Sequence, residues 1–284
     1  MEPPPKGYLH SVAARIFRSA AEWLISRGLA SERLRWRVRR FEQRGFRALL
    51  GVTGVYYPYA IIAINVALMV IVLLFAALGP SASTDIAWGV VLVRFGAAVT
   101  RLIFAGDYWR LLTAVFLHMD FTHLLFNCVA IWVIAPRIEA IYGPRRFLVV
   151  YLLTGVAGNV SSVFIHAFFA GQPILLVGSS GAVFGLLGAG AIYGLRTGGP
   201  QGEEIFKFMA VWIGIGILYS FLVRGDNLAH AGGAIAGGLF AQVLRPHAAV
   251  TYHRRLWVAI EAGCLLLTAI CFAYMLHSLF TREI

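Results

Sequence analysis

Apolar runs long enough to cross a bilayer recur along this chain, broken by short clusters of arginine, glycine and proline. No charged residue occurs between Arg47 and Asp85, and the run from Pro58 to Gly79 in that interval predicts a first membrane span. Its length matches the roughly 20 residues a helix needs to cross the hydrocarbon core. Five further apolar segments follow at 121–136, 147–169, 178–195, 207–223 and 228–244. The turn Gly171-Gln172-Pro173 divides the charge-free stretch between Arg146 and Arg196 into two of them. A last run, 256–279, predicts a seventh span with Glu261 one turn inside it. Residues 80–120 fit neither class. Ala87–Val93 and Leu102–Ala105 are apolar, but Arg94, Arg101, Asp107 and Arg110 interrupt them. This segment reads as a structured loop lying partly in the membrane interface.

Composition turns this pattern into a fold class. Of the 284 residues, 60% are hydrophobic and 13% charged, and the mean hydropathy is +0.77. A soluble domain of this size carries far more charge on its surface. The chain is therefore expected to be an all-α polytopic membrane protein. A basic cytoplasmic tail occupies 1–57, a six-span core 58–244, and a cytoplasmic loop with a seventh span 245–284.

The net charge of +11 invites a nucleic-acid reading, but its distribution argues for a membrane surface instead. Eleven of the 24 Lys and Arg residues lie between Lys6 and Arg47, and most of the rest sit in short loops between apolar runs. Basic residues beside spans mark cytoplasmic segments attracted to anionic lipid. In the tail, Ile16, Phe17, Trp23 and Leu24 interleave with Arg15, Arg18, Glu22 and Arg27, which suits either a surface-lying amphipathic helix or a solvated one. Arg137, Arg145 and Arg146, then Arg196 and Lys207, then Arg245, Arg254 and Arg255 all fall on the side of the tail in a seven-span parse. The N-terminus is then cytoplasmic and the C-terminus outside, with Arg94, Arg101 and Arg110 of the large loop as exceptions. Cys128, Cys264 and Cys271 lie in apolar runs and show neither a disulfide framework nor metal-ligand spacing. The first fifty residues lack a signal-peptide pattern, and with the Ala, Gly and Arg richness this points to a bacterial inner membrane.

Within that frame, a few polar residues open or line the spans. Gly178-Ser179-Ser180-Gly181 heads one span and Asn227-Leu228-Ala229-His230 another. Both spans start from the outer side, so Ser180 and His230 fall at similar shallow depth, and a serine with a histidine is the minimal nucleophile and base. A helix N-terminus adds unpaired N–H groups and a positive dipole end beside Ser180. Gly178 and Gly181 allow a tight turn and close approach. On its own, the same motif also describes a helix-capping serine in a small-residue packing site. His123 and Asn127, spaced i, i+4, share a face and could donate to an oxyanion, or hydrogen-bond between helices. His230, Gly233 and Gly237 share a face, as do the small residues Gly181, Gly185 and Gly188. Packing the two stripes together would bring His230 to Ser180. Asp226 lies in the loop, so the reading is a dyad without a third carboxylate.

These motifs, in this order, resemble the rhomboid intramembrane serine proteases. Tyr108-Trp109-Arg110 resembles the Trp-Arg motif of the family's first external loop, and His118 with His123–Asn127 its second-span motif. Glu139 and Gly143 follow at the family's spacing. Gly178–Gly181 resembles the Gly-x-Ser-Gly motif, and Ala229–Gly233 with Gly237 the sixth-span histidine motif. The resemblance runs from about 106 to 244 and implies a rhomboid-like six-helix core, the last span making a six-plus-one arrangement. It implies Ser180 as nucleophile and His230 as general base, with Ser179 the variable position. His123, Asn127 and the Ser180 N–H would form the oxyanion hole next to Gly178. Trp109 and Arg110 would fix the external loop, Glu139 would anchor the cytoplasmic end of span two, and Phe184 would stack on the histidine. The chemistry it implies uses no metal or cofactor. Its partners would be transmembrane protein substrates in the lipid bilayer, without nucleic acid; no motif names a substrate or an oligomeric state. An inactive relative that binds membrane proteins for quality control is the alternative. A transporter would need ionisable residues along a path through the spans, where only Glu261 stands.

Overall fold

In the computed structural model the described residues are 56–78, 88–223, 225–244 and 254–281. The tail at 1–57, apart from Tyr56 and Tyr57, and the loop at 245–253 lie outside them.

The first charge-free run forms α1 (Tyr57–Leu78). Ile61, Asn65, Leu68 and Val72 recur at helical spacing on its buried side, while Ile64, Val70, Ile71 and Leu74 are exposed. Both faces are apolar, as expected where the solvent on one side is lipid. Residues 88–117 then fold into short pieces: α2 (Trp88–Arg94), β1 (Ala98–Val99), α3 (Thr100–Phe104), α4 (Arg110–Thr113) and a 3₁₀ turn at Ala114–Phe116. Arg110 explains how this polar segment coheres. Its side chain is fully buried, pairs with Asp107 at 3.0 Å and donates to the carbonyls of Val93 and Ala97. Its guanidinium also stacks on Trp109. Arg110 is thus a cross-brace of this segment.

The long helices follow: α5 (Phe121–Tyr142), α6 (Pro144–Ile165) with a π turn at His166–Ala170, β2 (Leu175–Leu176), α7 (Ser180–Thr197), α8 (Gly199–Val223), α9 (Asn227–Val243) and α10 (Arg254–Thr281). Among the described residues, α1, α5, α6, α8 and α10 are long and apolar enough to cross a membrane. Helices α7 and α9, of 18 and 17 residues, are shorter. Helix α7 is the hub, packing against α9, α8, α6 and α5, and it is buried almost continuously from Gly181 to Ala191.

Two boundaries differ from the sequence reading. Helix α5 runs past Pro136 to Tyr142, because a proline inside a membrane helix is tolerated where neighbouring groups re-satisfy the freed carbonyl. Helix α8 starts at Gly199 and not near 207. Gly198 and Gly199 take positive φ (63° and 60°), closing a hairpin at once. Gly202 then fits against the Gly194 carbonyl, and Glu203 pairs with Lys207 on the exposed side.

Glycine sets the approach of the two short helices. A Cβ on Gly233 would overlap the carbonyl of Gly181, one on Gly237 the carbonyl of Gly185, and one on Gly188 the carbonyl of Ala234. The two small-residue stripes therefore do face one another, backbone on backbone. Helix α10 lies against α6, α4 and α2. Glu261 pairs with Arg145 at 2.9 Å and accepts from Tyr57, Arg146 stacks on Trp257, and Phe272 meets Phe116 edge-on. Glu261 is thus a docking group for the last helix. Cys128, Cys264 and Cys271 are free thiols, and no cluster of metal-ligating side chains occurs among the described residues.

Candidate active site

Helix α7 begins at an unusual turn. Gly178 has φ +125°, a conformation an L-residue rarely adopts, and its N–H donates to the Ala114 carbonyl at 2.9 Å. A side chain there would also collide with His123, since a Cβ would sit 2.7 Å from Cε1 and 2.8 Å from Nε2. Only glycine satisfies both constraints. The strand pair Ala98↔Leu176 and Val99↔Leu175 holds the approach to this turn against the segment 88–117.

The two adjacent serines then diverge. Ser179 is fully buried and faces His118, with Oγ 3.4 Å from Nε2. Burial, reinforced by His123 nearby, pushes the His118 imidazole down to about 3, so it is neutral at physiological pH. Ser180, the first residue of α7, faces a cleft of about 850 Å³, and its Oγ lies 2.8 Å from His230 Nε2. Its backbone N–H has no acceptor within the helix.

His230 sits in the first turn of α9. Phe184, one turn below Ser180, stacks on its ring at a centroid distance of 4.3 Å and an interplanar angle of 9°. Gly216 of α8 makes room behind Phe184, where a Cβ would come 2.7 Å from the ring. His230 Nδ1 is buried without a hydrogen-bond partner among the described residues. The imidazole is therefore held by stacking and by its backbone, not by a side chain on the far nitrogen.

Across the cleft, Asp120 caps α5 by accepting from the His123 N–H at 2.8 Å. The Met119 N–H points at His123 Nδ1 at 3.5 Å. That contact makes Nδ1 the acceptor and leaves the proton on Nε2, beside Gly178. Asn127 donates one amide hydrogen to the His123 carbonyl at 3.0 Å and keeps the other. The edge of His118 rests against the His123 ring at 5.3 Å. The structure thus gathers Ser180, His230, His123, Asn127, Gly178 and Phe184 around one cleft. Trp109 and Arg110 stay in the loop brace, Gly233 and Gly237 in the helix contact. Glu139, buried at the far end of α5, accepts from the Tyr56 N–H at 3.2 Å, away from the cleft.

Other cleft residues belong to no motif. Tyr219 of α8 stacks on Phe126 of α5 at 3.9 Å, closing one side. On another side, His166 of the π turn and Asp226 line the cleft, and both hydrogen-bond to Ser162 of α6, which is buried behind them. The only trace of Ser162 and His166 in the sequence is a polar i, i+4 pair at the end of an apolar run. Asp226 lies in the loop, as the sequence reading has it, and from there it caps the N-terminus of α9.

Known proteins are similar to this chain in sequence. Residues 105–247 match the family model of the rhomboid domain. The chain is 37% identical over 189 residues to the rhomboid protease GluP of Bacillus subtilis (strain 168), covering 66% of this chain and 36% of GluP. It is 32% identical over 186 residues to YdcA of the same strain, a chain assigned as a rhomboid protease, covering 64% of this chain and 87% of YdcA. It is 31% identical over 179 residues to the rhomboid protease AarA of Providencia stuartii, covering 55% of this chain and 63% of AarA. The chain thus spans about a third of GluP and just under two thirds of AarA, but most of YdcA. A domain match over half the chain, together with helices that can cross a bilayer several times, means that this polytopic membrane protein belongs to the rhomboid family.

Proposed function

We propose that this chain is a serine endopeptidase that cuts peptide bonds in or beside transmembrane segments. The observation that carries the reading is the 2.8 Å contact between Ser180 Oγ and His230 Nε2 in a cleft also lined by His123 and Asn127. Ser180 Oγ attacks the scissile carbonyl carbon as His230 Nε2 takes the hydroxyl proton. Negative charge develops on the carbonyl oxygen, which turns toward the Ser180 N–H, His123 Nε2–H and the free N–H of Asn127. The imidazolium then passes its proton to the leaving amine, the peptide C–N bond breaks, and an acyl-serine remains. Water enters, gives a proton to His230, attacks the ester and restores the free hydroxyl.

The substrate class follows from the surroundings. The cleft is walled by helices whose outer faces meet lipid, so a substrate strand arrives from the bilayer and not from bulk water. Its scissile bond must leave helical geometry to expose the carbonyl, which favours helix-destabilising residues near the cut. We assign 58–244 as the six-helix core and 245–284 as a loop and seventh helix. The basic tail at 1–57 faces the cytoplasm, and the cleft opens to the outer face of a bacterial inner membrane. Arg137, Arg145, Arg146, Arg196 and Lys207 support this orientation by clustering near the turns opposite the cleft.

The test is cleavage of a tagged model transmembrane helix in liposomes by the wild type, Ser180→Ala, His230→Ala and Ser179→Ala. Cutting by the wild type and Ser179→Ala alone is the expected result. Activity that survives Ser180→Ala but not Ser179→Ala would move the nucleophile by one residue. Absence of cutting by every form would turn attention to a binding role.

A further inference from the structure

The Ser162–Asp226 pair is the strongest feature that the reaction scheme leaves unused. The two carboxylate oxygens of Asp226 do separate jobs. Oδ1 accepts from the Ala229 N–H at 2.8 Å, which caps α9. Oδ2 accepts from the hydroxyl of Ser162 on α6 at 2.5 Å. Behind Ser162, His166 Nδ1 lies 3.2 Å from the same hydroxyl and 3.0 Å from the Ser162 carbonyl. Ser162 is fully buried. The next residue after Ala229 is His230, whose own backbone N–H reaches the Asp226 carbonyl at 3.2 Å.

The need for such a device follows from the orphan Nδ1 of His230. In a triad, a third side chain on Nδ1 fixes the imidazole in depth and rotation. Here that nitrogen has no hydrogen-bond partner among the described residues. Stacking on Phe184 fixes the plane of the ring but leaves it free to slide within that plane. The slide is governed by where the first turn of α9 sits, and that turn is tied laterally through Asp226 to Ser162. The neighbouring contact is close enough to feel a small shift, since a Cβ on Gly158 of the same helix α6 would come 2.6 Å from the Ala229 carbonyl oxygen.

We propose that Asp226 and Ser162 form a latch that registers the first turn of α9 on α6 and so sets the Ser180–His230 distance; both are positioning residues. The inference rests on the protease reading. The latch acts through hydrogen bonds and not through charge, so an asparagine at 226 can replace it. Its carbonyl caps Ala229 while its amide donates to the Ser162 hydroxyl.

The experiment uses the full chain in detergent and a fluorophosphonate that reacts with an activated serine. Its maximal labelling rate reports the chemistry, and its half-saturating concentration reports binding. The expected maximal rate falls about tenfold in Ser162→Ala and further in Asp226→Ala, with half-saturation unchanged. The double variant should be no slower than Asp226→Ala, and Asp226→Asn should stay within threefold of wild type. Wild-type labelling by Ser162→Ala would overturn the latch. So would losses that multiply in the double variant, or Asp226→Asn as slow as Asp226→Ala. A loss that vanishes at a temperature where thermal unfolding shows every variant folded would overturn it as well. If instead the wild type labels no faster than Ser180→Ala, the protease reading itself has failed.

Discussion

Replacing Gly233 by alanine tests whether the proposed reacting pair, Ser180 and His230, depends on how closely two helices approach. Gly233 lies one turn below His230, and the backbone it meets is that of Gly181, next to Ser180. A Cβ there would come 2.9 Å from the Gly181 carbonyl carbon and 3.3 Å from its Cα, and nearer still to the oxygen. Ordinary van der Waals contact begins near 3.4 Å, and neither partner is a side chain that can swing away. Helix α9 must therefore retreat from α7 by about 1 Å, a shift of the size that costs catalysis about 100-fold. The 2.8 Å contact between Ser180 and His230 would stretch beyond hydrogen-bond range. Overpacking of this kind also costs about 1–3 kcal/mol of stability. The assay is the initial rate of cleavage of a tagged transmembrane helix in liposomes, with thermal unfolding measured in parallel. Gly263→Ala on α10, where a Cβ would meet nothing within 4 Å, is the matched control and should behave as wild type. If Gly233→Ala keeps more than half of wild-type activity while remaining folded, close helix approach does not set the dyad and the reasoning fails.

Two further outcomes follow from the site. Gly178→Ala should abolish cleavage by at least about 100-fold, because the new methyl strains the turn and fills the space beside His123 Nε2; substrate turnover by the purified variant checks this. His118 has a folded pKa of about 3 against an ordinary 6.5, so its neutral form is favoured by the fold. Its contribution to stability is complete above about pH 6.5 and is lost as pH falls toward 3, at up to about 1.4 kcal/mol per pH unit. Thermal unfolding across that range should show a steeper decline for wild type than for His118→Gln, and parallel curves would refute it.

The sequence carried much of this architecture because a bilayer punishes stray polarity. Charge-free runs mark the helices, and the few polar residues left inside them stand out. The juxtaposition of Ser180 and His230 is legible in the spacing of the glycines, since matched stripes leave few ways to pack α7 on α9. The stacking role of Phe184 came from the family resemblance and not from the residue pattern itself. What stayed hidden depends on contacts distant in sequence or on very short elements. The pairing of Ala98–Val99 with Leu175–Leu176 has two residues on each side, too few for a period to show. The pairing of Asp226 with Ser162 was invisible because the two lie 64 positions apart. The apolar segment 121–136 ends short of Tyr142 because Arg137 and Glu139 break the hydrophobic run while the helix continues through them.

The hub position of α7 has a consequence for how the membrane can act on this protein. Bilayers of different thickness press on lipid-facing helices, which tilt to match. Helix α8 is such a helix: Val211, Ile215, Leu218, Phe221 and Leu222 are exposed along it, while few of its residues are buried. It also supplies Trp212 and Tyr219 to the cleft wall. Helix α7, enclosed on nearly every side, meets little lipid of its own. On the proposed mechanism, a thinner or thicker membrane moves the cleft wall before it moves Ser180, so lipid composition should change which substrates enter and how often, while the chemical step keeps its rate.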